Sequence, residues 1–115
     1  MEDPDRELLT RVTETKDFDQ RVLYDDSLDD WNLAKDFGEF LLRLDPDEIL
    51  GHALLSRAYR HLGDSQRALQ ELEQCRARAM QGQLKPSEVE VFSPFLAKEE
   101  KLLSEGPAKE REDRG

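Results

Sequence analysis

Leu62-Gly63-Asp64 joins two stretches of helical spacing, "LLSRAYRH" and "SQRALQELEQCRARAM". Gly63 is suited to the left-handed conformation that closes a helix, and Asp64 can cap the helix that follows. A connection this short leaves the two helices one arrangement, as antiparallel neighbours. On the first helix the inward face reads Leu55, Ala58, Tyr59 and Leu62, with Gly51 or His52 one turn earlier. On the second it reads Ala68, Leu72, Cys75 and Ala79, with Leu69 beside them.

Helical spacing extends to both sides of this hairpin. Asp3 caps and Pro4 opens a first short helix whose apolar stripe is Leu8, Leu9 and Val12. Phe18, Val22 and Leu23 form a second short face. Leu33, Ala34, Phe37, Leu41 and Leu44 recur at three- and four-residue steps, a stronger helical signal. "DPDE" (Asp45 to Glu48) then reads as a helix start, with Asp45 as cap, Pro46 at the first helical position and Glu48 reaching back. After the hairpin, "QGQLKPSE" (Gln81 to Glu88) reads as a linker, and Ser87 with Glu90 fits a capping box. A last amphipathic helix is expected to start at Ser93 and Pro94 and to dock through Phe95, Leu96, Leu102 and Leu103. Residues 106–115 carry no apolar side chain except Ala108 and are expected to be disordered.

The spacing repeats. Asp30 to Asp64, Ala34 to Ala68 and Leu41 to Cys75 are each one step of 34 residues. "DWNLAKDFGEFLLRLDP" and "DSQRALQELEQCRARAM" therefore occupy equivalent places in successive units. On these residues the stretch "LLSRAYRHLGDSQRALQELEQC" resembles a tetratricopeptide repeat. Leu55, Tyr59, the Leu62-Gly63 turn and Ala68 match that family's pattern, and Ala34 matches it one unit earlier. The departures are His52 for the usual Trp, Ser56 for Gly, Leu72 for an aromatic residue, Cys75 for Ala and Met80 for Pro; Asp25 stands where the earlier unit should have Tyr. The resemblance implies an all-α fold, a short α-solenoid of antiparallel helical hairpins with a C-terminal capping helix. Its best repeat would span 47–80, a degenerate one about 13–46 and the cap 87–105, within one domain over 1–105.

Charge narrows the class of partner. The chain has a formal net charge of −10, and its acidic residues crowd the first 48 positions (16 acidic, 6 basic). Nucleic acid and anionic membranes repel such a chain, so neither is expected as a partner. Residues 49–85 are the basic exception (3 acidic, 6 basic). One cysteine, Cys75, allows no internal disulfide, and no signal peptide or membrane-length apolar run is read; a cytoplasmic protein is the expectation.

No catalytic constellation is legible, and neither an enzyme, a cofactor nor a metal is expected. His52 and His61 stand nine residues apart and do not share a face closely enough to chelate. Asp25-Asp26 and Asp29-Asp30 lack the glycine and closing Glu of a calcium loop; caps and turns explain them better. Cys75 reads as a buried structural thiol.

A second stripe on the Ile49–Leu62 helix carries the candidate binding residues: Leu50, Ala53, Arg57 and Arg60, with His61 beside them. In the family resembled, first helices line a concave groove, which would make this stripe part of a peptide-binding surface. Two arginines over small or apolar residues suit a protein or peptide segment bearing a carboxylate. The competing reading pairs both arginines with the acidic first unit. The expected function is a non-enzymatic adaptor or scaffold. The alternatives are a self-assembling protein, such as a homodimer, and a regulatory subunit of a larger complex.

Overall fold

A computed structural model describes residues 4–81 and 84–114, with side chains described as far as Ser104. It is all-helical, with no strand among the described residues. The order is α1 (Pro4–Glu14), α2 (Phe18–Gln20) running into a π-helical turn (Arg21–Asp25), α3 (Trp31–Leu44), α4 (Ile49–His61), α5 (Ser65–Met80) and α6 (Pro86–Arg114). The radius of gyration is 14.7 Å, against about 13 Å for a compact chain of this length. That elongation fits a chain with only 37% hydrophobic residues.

Local chemistry explains most boundaries. The Asp64 side chain accepts from the Arg67 N–H at 3.1 Å and starts α5. Gly63 takes φ +89°, and the Asp64 N–H closes α4 on the Tyr59 carbonyl at 2.9 Å. Asp30 caps α3 through the Leu33 N–H at 3.2 Å. The expected cap at Asp3 lies outside the described residues. An Asp64→Ala chain should lose about 1 kcal/mol in urea unfolding, the ordinary value of an N-cap, with no change of fold.

Three expectations are corrected. Helix α4 begins at Ile49 rather than at Pro46. Asp45 instead closes a tight turn, accepting the Asp47 N–H at 3.0 Å on its side chain and the Glu48 N–H at 3.0 Å on its carbonyl. That turn leaves the Pro46 carbonyl free to accept from His52 Nε2 at 3.0 Å. Helix α6 begins at Pro86, with Glu88 accepting the Lys85 N–H at 2.9 Å, and Ser93-Pro94 lies inside it. Pro94 removes one helical hydrogen bond on an exposed face, while Phe92 and Phe95 on either side bury together in edge-to-face contact. The helical backbone is described as far as Arg114. Finally, Leu62 turns outward at the end of α4 and is 41% exposed, so it does not join the inward stripe.

Helix α4 is the centre of the molecule. Ile49 and Gly51 through Ala58 are all buried. It crosses α3 where Gly38 and Gly51 meet, and α5 where the Ser56 hydroxyl donates to the Ala68 carbonyl at 2.9 Å. Small residues at both crossings let the three helices approach backbone to backbone. Apolar packing falls into two clusters joined through α4. One gathers Phe18, Val22, Leu28, Trp31, Leu33, Ala34, Leu54 and Ala58; the other gathers Ile49, Ala53, Ala68, Leu72, Cys75, Phe92, Phe95 and Leu103. Leu23 and Leu50 touch both.

Candidate functional site

The second stripe of α4 faces inward onto two other elements, the π-helical turn and α6. Each contributes one carboxylate. Asp26 ends the π-helical turn in the left-handed conformation, φ 54°, and its carboxylate meets Arg60 and His61 of α4. Glu99 lies on the buried face of α6, in register with Phe92, Phe95 and Leu103.

Arg57 is fully buried at 0% exposure, as is Glu99. Its Nε donates to Glu99 Oε1 at 2.5 Å. Nη2 lies 2.5 Å from the same oxygen as an ion pair, without hydrogen-bond alignment. Nη1 donates to the carbonyls of Val22 at 2.7 Å and Leu23 at 3.0 Å. A guanidinium at the end of a helix satisfies carbonyls that have no helical partner and meets the negative end of the dipole. Its flat face rests on Phe95, 4.3 Å from the ring centre.

Arg60 bridges the two acids. Its Nε donates to Glu99 Oε2 at 2.8 Å, and its Nη2 to Asp26 Oδ2 at 2.5 Å. His61 Nε2 sits 2.6 Å from Asp26 Oδ1, and its ring stacks 4.0 Å above Trp31. Burial alone would raise the Asp26 carboxyl. Hydrogen bonds from His61 and Arg60 and the Arg57 charge outweigh it and hold the group down at about 2. Burial likewise works against the Arg60 charge, and its bonds to Glu99 and Asp26 raise its pKa in spite of that. Two guanidinium groups and two carboxylates thus neutralise one another in a largely dry seat.

The five candidate binding residues are therefore brought together, and they face the chain's own elements. Ala53 and Arg57 are buried, Leu50 is half-buried between the two apolar clusters, Arg60 keeps 17% of its side chain exposed, and His61 lies at the rim. Of the expected repeat positions, Ala34, Leu55, Ala68, Leu72 and Cys75 are in the core, Tyr59 is half-buried, and Gly63 holds the turn. Asp26 belongs to the acidic first unit with which the competing reading pairs both arginines, whereas Glu99 lies outside that unit. Glu99 had a signal: it occupies a core position in the stripe Phe92, Phe95, Glu99, Leu103, where an acid calls for a buried cation.

A second polar cluster ties α4 to α5. His52 Nδ1 is 2.7 Å from Glu71 Oε1, while Nε2 faces the Pro46 carbonyl. With a carboxylate on one side and a carbonyl on the other, both nitrogens can donate only in the imidazolium. The Glu71 hydrogen bond is the largest cause of a raised His52 pKa; burial opposes it, the Pro46 carbonyl adds to it, and Arg78 opposes it weakly. A raised folded-state pKa gives stability that is complete below the ordinary value of 6.5 and is lost as pH climbs through the folded value. Urea midpoints should therefore fall from pH 6 toward pH 9, and Glu71→Gln should flatten that fall.

The Cys75 thiol is buried, and burial raises its pKa well above the ordinary range, away from reactive thiolate. Among the described residues, no group of three or more His, Cys, Asp or Glu could hold a metal ion, and no helix is long and apolar enough to cross a membrane. No family model, curated protein or solved structure matches this chain.

Proposed function

We propose that this chain is a non-enzymatic interaction module, a short solenoid of tetratricopeptide-like hairpins that holds a segment of a partner protein. The observation that carries the reading is the seat at Arg57 and Arg60. There a helix brings one carboxylate and one aromatic ring against the arginines of α4, beside the π-helical turn. Such a seat suits a partner helix that bears an acid. The solenoid reading draws on the 34-residue step and on α4 packed between α3 and α5 through small residues at both crossings. Rigid hairpins present a fixed surface, so the protein loses little entropy on binding. The inert Cys75 thiol and the two engaged histidines give no support to a catalytic alternative.

The test is a purified, immobilised chain challenged with lysate, followed by reconstitution of any retained protein with the purified chain. A one-to-one complex formed by the wild type and lost in a folded Arg60→Gln chain is the expected result. A mass that rises with concentration, with no second protein retained, would replace this reading with self-assembly. The exposed Leu44, Leu62, Leu69 and Met80 favour that second reading.

A further inference from the structure

We infer that α6 is a releasable resident of the groove, and that the partner replacing it is an amphipathic helix with an aromatic residue four positions before a carboxylate. The inference rests on the interaction-module reading and adds the regulation and ligand chemistry of that same seat. Three observations carry it.

First, α6 is held differently from the three central helices. Helices α3, α4 and α5 meet backbone to backbone at Gly38, Gly51, Ser56 and Ala68. Helix α6 docks by side-chain anchors on one face, namely Phe92, Phe95, Glu99 and Leu103. Spacing of this kind is how a separate amphipathic helix is read by a groove.

Second, the seat has supports other than α6. Arg57 is positioned by the Val22 and Leu23 carbonyls, and Arg60 by Asp26, all from the N-terminal side of the molecule. When Glu99 leaves, two guanidinium groups face the single carboxylate of Asp26, so the emptied seat carries net positive charge and selects an acid.

Third, the bond that α6 brings is specific rather than strongly stabilising. A buried ion pair roughly offsets its own desolvation, so exchanging Glu99 for a partner's carboxylate is close to balanced. Phe95 over the Arg57 guanidinium defines the companion position, four residues before the acid. The surface rim adds a weaker contact, Arg76 of α5 with Glu100 of α6.

The experiment uses the full chain in two measurements. In native-state hydrogen exchange, amides of residues 92–104 should exchange through an opening that leaves α4 and α5 protected. In the second, a labelled peptide of residues 86–104 is added in trans. The wild-type chain should bind it weakly, because its own α6 competes at an effective concentration of about millimolar. The Glu99→Gln chain should bind this peptide about tenfold more tightly than it binds the same peptide carrying Glu99→Gln, the worth of one charge-assisted hydrogen bond. Exchange of the α6 amides only in the global unfolding event of α4 and α5 would overturn the inference. So would a cooperatively folded Glu99→Gln chain that does not distinguish the two peptides. Should Glu99→Gln fail to fold, the exchange measurement on the wild type decides alone. A partner captured by a chain whose α6 never opens would leave the interaction module standing and sink only the release of α6.

Discussion

Replacing Arg57 with Met should cost about 3–5 kcal/mol of folding stability, the range for removing one member of a buried ion cluster. The side chain is fully enclosed, and nothing in the seat can take its place. Its loss leaves the Val22 and Leu23 carbonyls without their donor and Glu99 with Arg60 alone. Phe95 also loses the group stacked on it. Removing Glu99 as well changes the sign of the problem. In an Arg57→Met, Glu99→Leu chain the surviving pair, Arg60 with Asp26, is neutral, and two apolar side chains fill the gap. The double variant should recover at least half of the single-variant loss, the non-additivity expected of groups in one network. Urea unfolding of the wild type, both single variants and the double variant measures this cycle. A single-variant loss under about 1 kcal/mol, the worth of an exposed pair, would mean that water reaches Arg57 and that α6 is not seated on it.

The hairpin was legible in the sequence because its signals are local. Gly63 and Asp64 set the α4–α5 turn by backbone preference and one side-chain cap, and both act within three residues. Helix α5 accordingly occupies the stretch that periodicity assigns it. The start of α4 was misread because Asp45-Pro46-Asp47 offers two local outcomes, a first helical turn or a free-standing one. A distant group, His52, holds the Pro46 carbonyl of the second. Pro94 was misread for the opposite reason. A proline is a good helix opener when judged alone, yet the burial of Phe92 before it and Phe95 after it keeps one helix continuous. Arg57 and Arg60 were legible as a basic stripe, but their partners lie 31 to 42 positions away in sequence, on Asp26 and Glu99. Pairing over such distances follows from how α6 and the π-helical turn close on α4, and periodicity says nothing about that.

The crossing of α3 and α4 should be almost as unforgiving as the buried cluster. A Cβ at Gly38 would stand 2.9 Å from Leu55 Cγ, 3.0 Å from the Gly51 carbonyl oxygen and 3.2 Å from Leu54 Cβ. One of these is backbone and the other two sit near their own main chains, so none can swing aside. Gly38→Val forces the helices apart and should cost about 3 kcal/mol, the upper end for overpacking. Gly38→Ala inserts one carbon and gains helix propensity worth about 1 kcal/mol, so its net loss should be the smaller. Gly63 supplies the contrast. It has nothing within 4 Å of a built Cβ, but its φ of +89° is strained for any other residue. Gly63→Ala should therefore cost about 1–2 kcal/mol through backbone conformation alone. A thermal series should rank Gly38→Val below Gly63→Ala, with Arg57→Met as low or lower. If Gly38→Val instead melts with the wild type, α3 and α4 do not meet at this glycine, and the tight stacking on which the scaffold reading depends is lost with it.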